Sequence, residues 1–258
     1  MRTIRKTATE TMRRAVRSPS NQLLAALPAR DYQRLQSRGA AVSLRMGDVL
    51  YEPETAPQYV YFPNDSLVSL VALTDGGHRV EVGLVGREGM VGCVLALGVD
   101  NTPVRAVVQA RGSALRIPAA AFSAELEHSR ALRREVLRYA YVTMATAMQI
   151  AACNSAHHLE ARLARRLLMT RDRLSTNTFV LTHDMLAQIL GSRRATVSRA
   201  ATALQNGKLI TYKRGVLRIL DAEALRMVSC GCYEIIRGAD FRRRSDPKID
   251  KKRRATAT

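Results

Sequence analysis

One stretch of the chain, THDMLAQILGSRRATVSRAAT at residues 182–202, constrains the fold more than any other segment. Thr182 is a favourable N-cap, and apolar residues recur behind it at helical spacing, which predicts a short first helix. Gly191 can adopt a positive φ, as a tight turn between two helices requires. Ala187 is small where two crossing helices approach each other closely. A second helix follows, with an inward apolar stripe of Val197, Ala200, Ala201 and Leu204. The segment therefore predicts a helix-turn-helix.

The outward face of the second helix is basic, although an ordinary helical hairpin with a charged surface is an alternative. Arg193, Arg194 and Arg199 lie at the exposed start and middle of this helix. Guanidinium groups in such positions can bind guanine edges with two hydrogen bonds or pair with phosphates. These arginines favour DNA binding over the hairpin alternative. We predict that this segment contacts double-stranded DNA through Thr182, Arg193, Arg194, Ala195, Thr196, Ser198 and Arg199.

The formal net charge of +19 is typical of a protein that binds a polyanion. Residues 1–20 contain six basic residues and one acidic residue, and residues 237–258 contain nine basic and three acidic residues. Both segments lack periodic apolar residues, so we expect disordered tails. Two roles remain open for them: non-specific, salt-sensitive affinity for DNA, or solubility without a partner.

Residues 40–118 consist of short β-like runs separated by turn residues. Val80, Val82 and Leu84 recur at every second position, as expected of a half-buried strand. Turn signals recur at Gly47-Asp48, Pro63-Asn64-Asp65, Asp75-Gly76-Gly77 and Gly86. Short strands that are punctuated this evenly predict an antiparallel β-roll or barrel.

Residues 130–153 predict one long helix with two apolar stripes, and such a helix needs two partners. The first partner is expected to be the β-roll and the second the same helix of another subunit. One stripe consists of Leu137, Tyr141, Met144, Met148 and Ala151. The other stripe is predicted to be the dimer seam and consists of Leu132, Val136, Tyr139, Thr143, Thr146 and Ile150. The alternative, in which a single chain buries both stripes, stays open.

Two further elements flank the helix-turn-helix. Residues 157–173 predict a helix that directs its leucines inward and its arginines, including Arg165 and Arg166, mostly outward. Residues 209–220 predict a β-hairpin with Lys213 and Arg214 at its tip, which is the wing of a winged helix. A basic wing tip lies against the phosphate backbone, so both residues are predicted DNA contacts.

A β-roll, a long helix and a winged helix-turn-helix in this order resemble the Crp/Fnr family of bacterial transcription regulators. The resemblance covers about residues 20–225 and is strongest at LTHDMLAQILGSRRATVSRAATALQNGKLI. It implies a homodimer that binds a roughly palindromic operator and senses an effector in the β-roll. RNA polymerase is a further candidate partner.

By the same resemblance, Arg194, Ala195 and Arg199 occupy the recognition-helix positions that contact bases. The family commonly has Glu at the middle position, so Ala195 implies a different preference at that base pair. Arg193 stands where the family usually has a Ser or Thr N-cap, which leaves its side chain available for a phosphate.

The resemblance implies an α+β fold with a cyclic-nucleotide-binding-like β-roll, a long dimerisation helix and a winged helix-turn-helix. The predicted segments are a disordered tail at residues 1–20, a sensor domain at 21–129, the dimerisation helix at 130–155, the DNA-binding domain at 156–223 and a basic C-terminal tail at 224–258.

The predicted sensor departs from the relatives that bind a cyclic nucleotide. Those relatives carry Gly-Glu and later Arg-Ser/Thr-Ala in the segment that holds ribose and phosphate. In this chain Cys93 follows Gly92, Val104 stands at the Arg position, and Arg105 falls one residue late. A one-residue slip in a strand turns the side chain to the opposite face. We therefore expect no cyclic nucleotide and no other cofactor, and a cAMP-responsive regulator is the less favoured alternative.

The sequence supports neither a metal centre nor catalysis. Cys230-x-Cys232 is a single short pair, and Cys153 with the nearby His157 lacks further local ligands, so no metal is predicted. The chain shows no paired carboxylates, Ser-His-Asp set or phosphate loop that would indicate an enzyme. A non-specific architectural DNA-binding protein remains the alternative from another functional class.

The cellular location follows from two features of the sequence. No uncharged apolar run reaches the length of about 18 residues that a membrane span needs, so no membrane partner is predicted. The four cysteines of a chain with this DNA-binding pattern suggest a reducing compartment. We expect a cytoplasmic protein.

Overall fold

The computed structural model describes residues 19–239 except residues 76 and 78. Its N-terminal part consists of short helices and seven strands, as predicted for a β-roll. These elements are α1 (Gln22–Ala25), α2 (Ala29–Ser37), β1 (Ala40–Leu44), β2 (Val49–Tyr51), β3 (Tyr59–Pro63), β4 (Leu67–Leu73), β5 (Arg79–Val85), a 3₁₀ helix (Cys93–Leu97), β6 (Val104–Ala110) and β7 (Gly112–Pro118).

The seven strands form two antiparallel sheets around one core. The first sheet has the order β1-β7-β3 and the second the order β2-β6-β4-β5. Both sheets contribute to the same buried cluster, for example Phe62 and Ile117 from the first and Val68 and Ala106 from the second. Burying a side chain such as Phe62, Ile117 or Val68 contributes roughly 1.5–3 kcal/mol to the free energy of unfolding, relative to leaving it exposed.

Two helices lead out of the β-roll, α3 (Ala119–His128) and α4 (Arg130–Ala156). Ser129 caps α4, because its hydroxyl accepts a hydrogen bond from the backbone N–H of Leu132 at 3.0 Å. The same hydroxyl donates to Asp31 of α2 at 2.8 Å, which fixes the start of α4 on the N-terminal domain. The predicted long helix is therefore present and extends to Ala156, three residues beyond the end predicted for it at residue 153.

The apolar stripe predicted as the dimer seam instead faces the interior of the chain. Leu132, Val136, Tyr139 and Thr146 are buried. Thr143 is half-buried and donates its hydroxyl to the carbonyl of Tyr139, and Ile150 packs against the C-terminal core. The seam prediction is wrong for the four buried residues, because the β-roll and the C-terminal domain together cover this face of α4, which leaves Thr143 and Ile150 only partly exposed.

The close approach of α4 to the β-roll depends on Gly89. A Cβ atom at this position would lie 2.1 Å from the ring of Tyr139, far inside van der Waals contact. The opposite stripe of α4 is the exposed one: Leu137, Tyr141, Met144 and Met148 are 40–63% exposed.

The C-terminal part is a winged helix-turn-helix with two additional helices. Its elements are α5 (Leu159–Leu174), β8 (Thr178–Val180), α6 (His183–Leu190), α7 (Arg194–Asn206), β9 (Ile210–Lys213), β10 (Val216–Ile219), α8 (Ala222–Val228) and α9 (Cys232–Ala239). The three strands form a small antiparallel sheet in the order β8-β10-β9. The fold class predicted from the sequence is confirmed.

The predicted start of the C-terminal tail at residue 224 is wrong. Asp221 caps α8 by accepting hydrogen bonds from two backbone N–H groups, and Leu225 of α8 is fully buried. Tyr233 and Ile236 of α9 also lie in the C-terminal core, so the packed structure continues to Ala239. The tail predictions for residues 1–18 and 240–258 lie outside the described residues.

None of the described helices has the length and hydrophobicity that a transmembrane span requires.

Candidate nucleic-acid interface

The turn between α6 and α7 has the geometry that the sequence predicts. The Thr182 hydroxyl accepts a hydrogen bond from the backbone N–H of Met185 at 3.1 Å, which caps α6. Gly191 ends α6 with φ +55°, and the backbone N–H of Ser192 donates to the carbonyl of Ala187 at 3.0 Å. The left-handed glycine reverses the chain at once, so α7 starts close to the end of α6.

Helix α7 separates an apolar inner face from a basic outer face. Its predicted inner residues are all buried: Val197, Ala200, Ala201 and Leu204. Arg193 is the N-cap residue and makes no side-chain cap hydrogen bond, as expected. Among the predicted contacts, the exposed residues at this helix are Arg193, Arg194, Ala195 and Arg199.

Two predicted contacts on α7 are partly occupied by interactions within the domain. The Ser198 hydroxyl lies 2.9 Å from Nδ1 of His183, and both side chains are half-buried. The Thr196 hydroxyl accepts a long hydrogen bond of 3.5 Å from the guanidinium of Arg199. Ser198 therefore connects α7 to α6, and Thr196 helps to orient Arg199 on the exposed face.

Arg194 forms an ion pair with Asp184 of α6, with 3.3 Å between Nε and Oδ1. The two side chains are 67% and 66% exposed, so solvent screens the pair and it contributes at most about 1 kcal/mol. Asp184 does not figure in the predicted site. The position of its acidic side chain beside Arg194, a predicted DNA contact, follows only from the packing of α6 against α7.

The wing is a tight hairpin between β9 and β10. Arg214 and Gly215 both have positive φ, +52° and +78°, as the two central residues of a type I′ turn require. This turn leaves Lys213 and Arg214 exposed at the tip.

The wing is fastened to the helix-turn-helix by stacked rings. The rings of Tyr212 and His183 lie parallel, with centroids 4.4 Å apart and an interplanar angle of 10°. Burial raises the pKa of Tyr212, which keeps its phenol neutral. Neither residue was predicted, because stacking between β9 and α6 leaves no periodic signal in the sequence.

The C-terminal domain contacts the β-roll through buried charged groups. Arg166 of α5 forms an ion pair with Glu81 of β5, with 2.7 Å between Nε and Oε1, and donates to Gln109 of β6 at 2.8 Å. Ser69 of β4 donates to the same carboxylate at 2.7 Å. The expectation that Arg165 and Arg166 face outward is wrong, since both side chains are buried.

A second contact between the same domains lies at the Gly86–Gly89 turn. Arg173 of α5 donates to Glu88 at 2.9 Å and to the carbonyl of Leu84 at 3.1 Å. An arginine of the C-terminal domain thus fills the polar turn that the sequence places at Gly86–Gly89.

The segment that holds ribose and phosphate in cyclic-nucleotide-binding relatives is apolar in this chain. Cys93 and Val104 both pack against the core of the β-roll. Burial raises the pKa of the Cys93 thiol to about 11, so the thiol stays neutral. Arg105 forms an ion pair with Glu52, with 2.8 Å between a guanidinium nitrogen and Oε1.

Four residues that seemed too scattered for a metal site meet at the end of α4. They are Cys153, His157, Cys230 and Cys232, whose potential ligand atoms all lie within 4.8 Å of one another. Burial raises the pKa of Cys153 to about 12, against the opposing effect of the nearby Arg165 charge. The prediction of no metal assumed that these residues stay apart, and that assumption is wrong because α9 folds back against α4.

Both halves of the chain match known domain families. The family model for the Crp-like helix-turn-helix domain matches residues 161–228, and the model for the cyclic nucleotide-binding domain matches residues 41–129. The two matches together span more than half of the chain. No sequence among the curated proteins is significantly similar to the chain.

Solved structures share the same architecture at low sequence identity. FixK2 from Bradyrhizobium japonicum is 16% identical, with a TM-score of 0.65 over 75% of this chain and 98% of that chain. TTHA1359, a CRP/FNR family transcriptional regulator from Thermus thermophilus, is 22% identical, with a TM-score of 0.61 over 74% and 98%. A putative crp/fnr transcriptional regulator from Eubacterium rectale is 19% identical, with a TM-score of 0.57 over 81% and 98%.

The fold and the basic face of α7 define a DNA-binding protein of the winged helix-turn-helix class, joined to a cyclic nucleotide-binding type of β-roll. The cyclic nucleotide-binding model and the Crp-like helix-turn-helix model match in that order along the chain, and the structural neighbours share this fold. The chain belongs to the Crp/Fnr family of transcription regulators.

Proposed function

We propose that this regulator binds a palindromic operator as a homodimer and distinguishes sequences with α7. The observation that carries the proposal is the exposed basic face of α7 beside a basic wing tip. Arg199 forms no ion pair within the described residues, and an uncompensated exposed guanidinium suits the phosphates and guanine edges of DNA.

The contacts divide by their position on the domain. Arg194, Ala195 and Arg199 lie on the face of α7 that would enter the major groove, and Arg194 would exchange Asp184 for DNA. Lys213 and Arg214 at the wing tip are suited to phosphates only. The hydroxyl of Thr182 already accepts a capping hydrogen bond, and it can still donate to a phosphate at the start of α6.

The exposed stripe of α4 supports the dimer part of the proposal. Leu137, Tyr141, Met144 and Met148 follow a 4-3-4 spacing, which places apolar side chains along one seam of a two-stranded coiled coil. A dimer formed in this way would present two copies of α7 to two half-sites. A palindromic operator follows from that two-fold symmetry.

A signal would reach the DNA-binding domain through the β-roll. The buried pair of Arg166 and Glu81 gives β5 a direct contact with α5, so a change in the sheet can alter the position of the domain. The apolar surroundings of Cys93 and Val104 favour a signal other than a cyclic nucleotide. Contact with RNA polymerase stays a prediction.

Selection of bound duplexes from random DNA tests the proposal. We expect a palindromic motif with half-sites about one helical turn apart, roughly 10–10.5 base pairs. Binding without any enriched motif, and with equal salt dependence for all sequences, would favour the non-specific architectural protein instead.

A further inference from the structure

Three cysteines and one histidine converge where α4 ends and α9 begins. Cys153 lies in the last turn of α4, and His157 follows it by four residues, on the same side of the helix end. Cys230 precedes α9 and Cys232 is its first residue. The Sγ atoms of Cys153 and Cys230 are 3.4 Å apart, and Sγ of Cys232 is 3.7 Å from Nδ1 of His157.

These two separations are close to the edges of a tetrahedron around one metal ion, and the other donor pairs lie within 4.8 Å of one another. Zinc–sulfur bonds of about 2.3 Å and zinc–nitrogen bonds of about 2.0 Å give edges of roughly 3.5–3.8 Å. We propose that Cys153, His157, Cys230 and Cys232 form a mononuclear Cys₃His site for a thiophilic divalent cation, with zinc the best match.

The charges around the cluster suit such a site. Three thiolates, a neutral imidazole and a divalent cation carry one net negative charge. Arg165 is buried next to Cys153, its Nε has no hydrogen-bond partner, and it forms no ion pair with a carboxylate in the described part of the chain. A metal–thiolate centre supplies the negative charge that this buried guanidinium otherwise lacks.

The neighbouring groups also resemble the outer shell of a metal site. The side-chain amide of Gln149 donates to Sγ of Cys232 at 3.1 Å, and such hydrogen bonds orient thiolate ligands. The three cysteines are buried whereas His157 is exposed, which leaves one side open for an ion to enter.

The chemistry of the donors limits the identity of the ion. Thiolates are soft ligands that select zinc and related thiophilic metals, whereas magnesium and calcium prefer oxygen. An iron–sulfur cluster distributes its cysteines over several iron atoms and needs wider ligand spacing than 4.8 Å.

A disulfide between Cys153 and Cys230 requires a sulfur–sulfur bond of about 2.05 Å, well below the observed separation.

The ion would join two segments that are 77 residues apart in sequence, at the point where α4 passes into the DNA-binding domain. Metal binding contributes folding free energy when its ligands are brought together only in the native state. The site would therefore hold α9 against α4 and fix the direction in which α5 leaves the long helix.

Metal analysis of the purified full-length protein, kept under reducing conditions, tests the proposal. We expect one equivalent of zinc per chain in the wild type and a large loss in Cys153→Ser and in Cys232→Ser. Cys93→Ser is the matched control, because Cys93 lies in the β-roll outside the cluster and should leave the zinc content unchanged. Cobalt(II) added to the wild type should give tetrahedral visible bands and a thiolate charge-transfer band.

Two results would overturn the site. One is a wild type without stoichiometric metal whose cobalt spectrum lacks thiolate bands. The other is a Cys153–Cys230 disulfide that forms in the zinc-loaded protein without any loss of zinc, because two oxidised thiols cannot both be zinc ligands. If the cysteine variants fail to fold, His157→Ala decides the question, because this exposed ligand can be removed without opening the core. We expect weaker cobalt binding in this variant, and unchanged binding would contradict the site.

Discussion

Arg166 and Glu81 form a two-pronged ion pair between the DNA-binding domain and the β-roll, at 2.7 Å and 2.9 Å. Their side chains are 3% and 7% exposed, so solvent does not screen the pair. Ser69, Gln109 and Thr170 complete its hydrogen bonds. A buried network satisfied in this way holds two domains in one arrangement, because any other arrangement leaves a buried charge without a partner.

Replacing Glu81 by Gln should destabilise the protein by about 3–5 kcal/mol, because the guanidinium of Arg166 then stays buried without a counter-charge. Chemical denaturation measures the change. Glu52→Gln is the control, since Glu52 is half-exposed in its pair with Arg105 and should cost at most about 1 kcal/mol. An equal decrease in the free energy of unfolding in the two variants would mean that the buried pair stabilises the protein no more than the exposed one.

Charges on the exposed stripe of α4 should separate the subunits without unfolding them. We expect the double variant Met144→Glu with Met148→Glu to sediment as a monomer and to keep its circular dichroism spectrum. The control adds the same charge on α2, as Gln33→Glu with Gln36→Glu, where both residues are exposed, and should remain dimeric.

Tyr139→Glu on the buried stripe should instead destabilise the chain by about 4 kcal/mol or more, because an uncompensated carboxylate is forced into the core. If the Met144/Met148 variant remains a dimer, the seam lies elsewhere.

Arg199→Ala should weaken binding to the preferred operator by about 1–3 kcal/mol per half-site and relax the preference at one base pair. Arg214→Ala should weaken binding to all sequences about equally and reduce the salt slope by roughly one per subunit. Titrations with the selected operator and with scrambled DNA across a salt series distinguish the two effects.

Arg30→Ala on α2 provides the control for lost positive charge, because Arg30 is exposed and lies far from the helix-turn-helix in sequence. This variant should change neither the affinity for DNA nor the salt slope. If Arg199→Ala lowers operator and scrambled affinity by the same factor, α7 does not distinguish sequences. The architectural alternative would then be preferred.

Cyclic AMP should not bind appreciably, because Cys93 and Val104 supply no charge for its phosphate and no strong hydrogen bond for its ribose. Arg105 is engaged with Glu52. Calorimetric titration of the full-length protein is expected to show no heat of binding. Micromolar affinity would contradict this, and loss of that affinity in Arg105→Ala would identify Arg105 as the phosphate ligand.

Much of the DNA-binding domain could be predicted because its signals are local. The cap at Thr182, the positive φ of Gly191 and the inward spacing from Val197 to Leu204 all act within one or two helical turns. The wing followed from a short hairpin with Gly215 in its turn. Interactions between neighbours in sequence leave patterns that can be recognised without a fold.

Only the tertiary structure shows which residues of other elements contact the side chains in each sequence pattern. Both stripes of α4 have helical spacing, and only the packing of Tyr139 over Gly89 shows which one turns inward. Arg166 looks like a surface residue until β5 brings Glu81 against it. Cys153 and Cys230 meet because α9 folds back on α4. The sequence determined the elements and the basic face of α7, whereas contacts across tens of residues depend on how those elements pack, which periodicity does not encode.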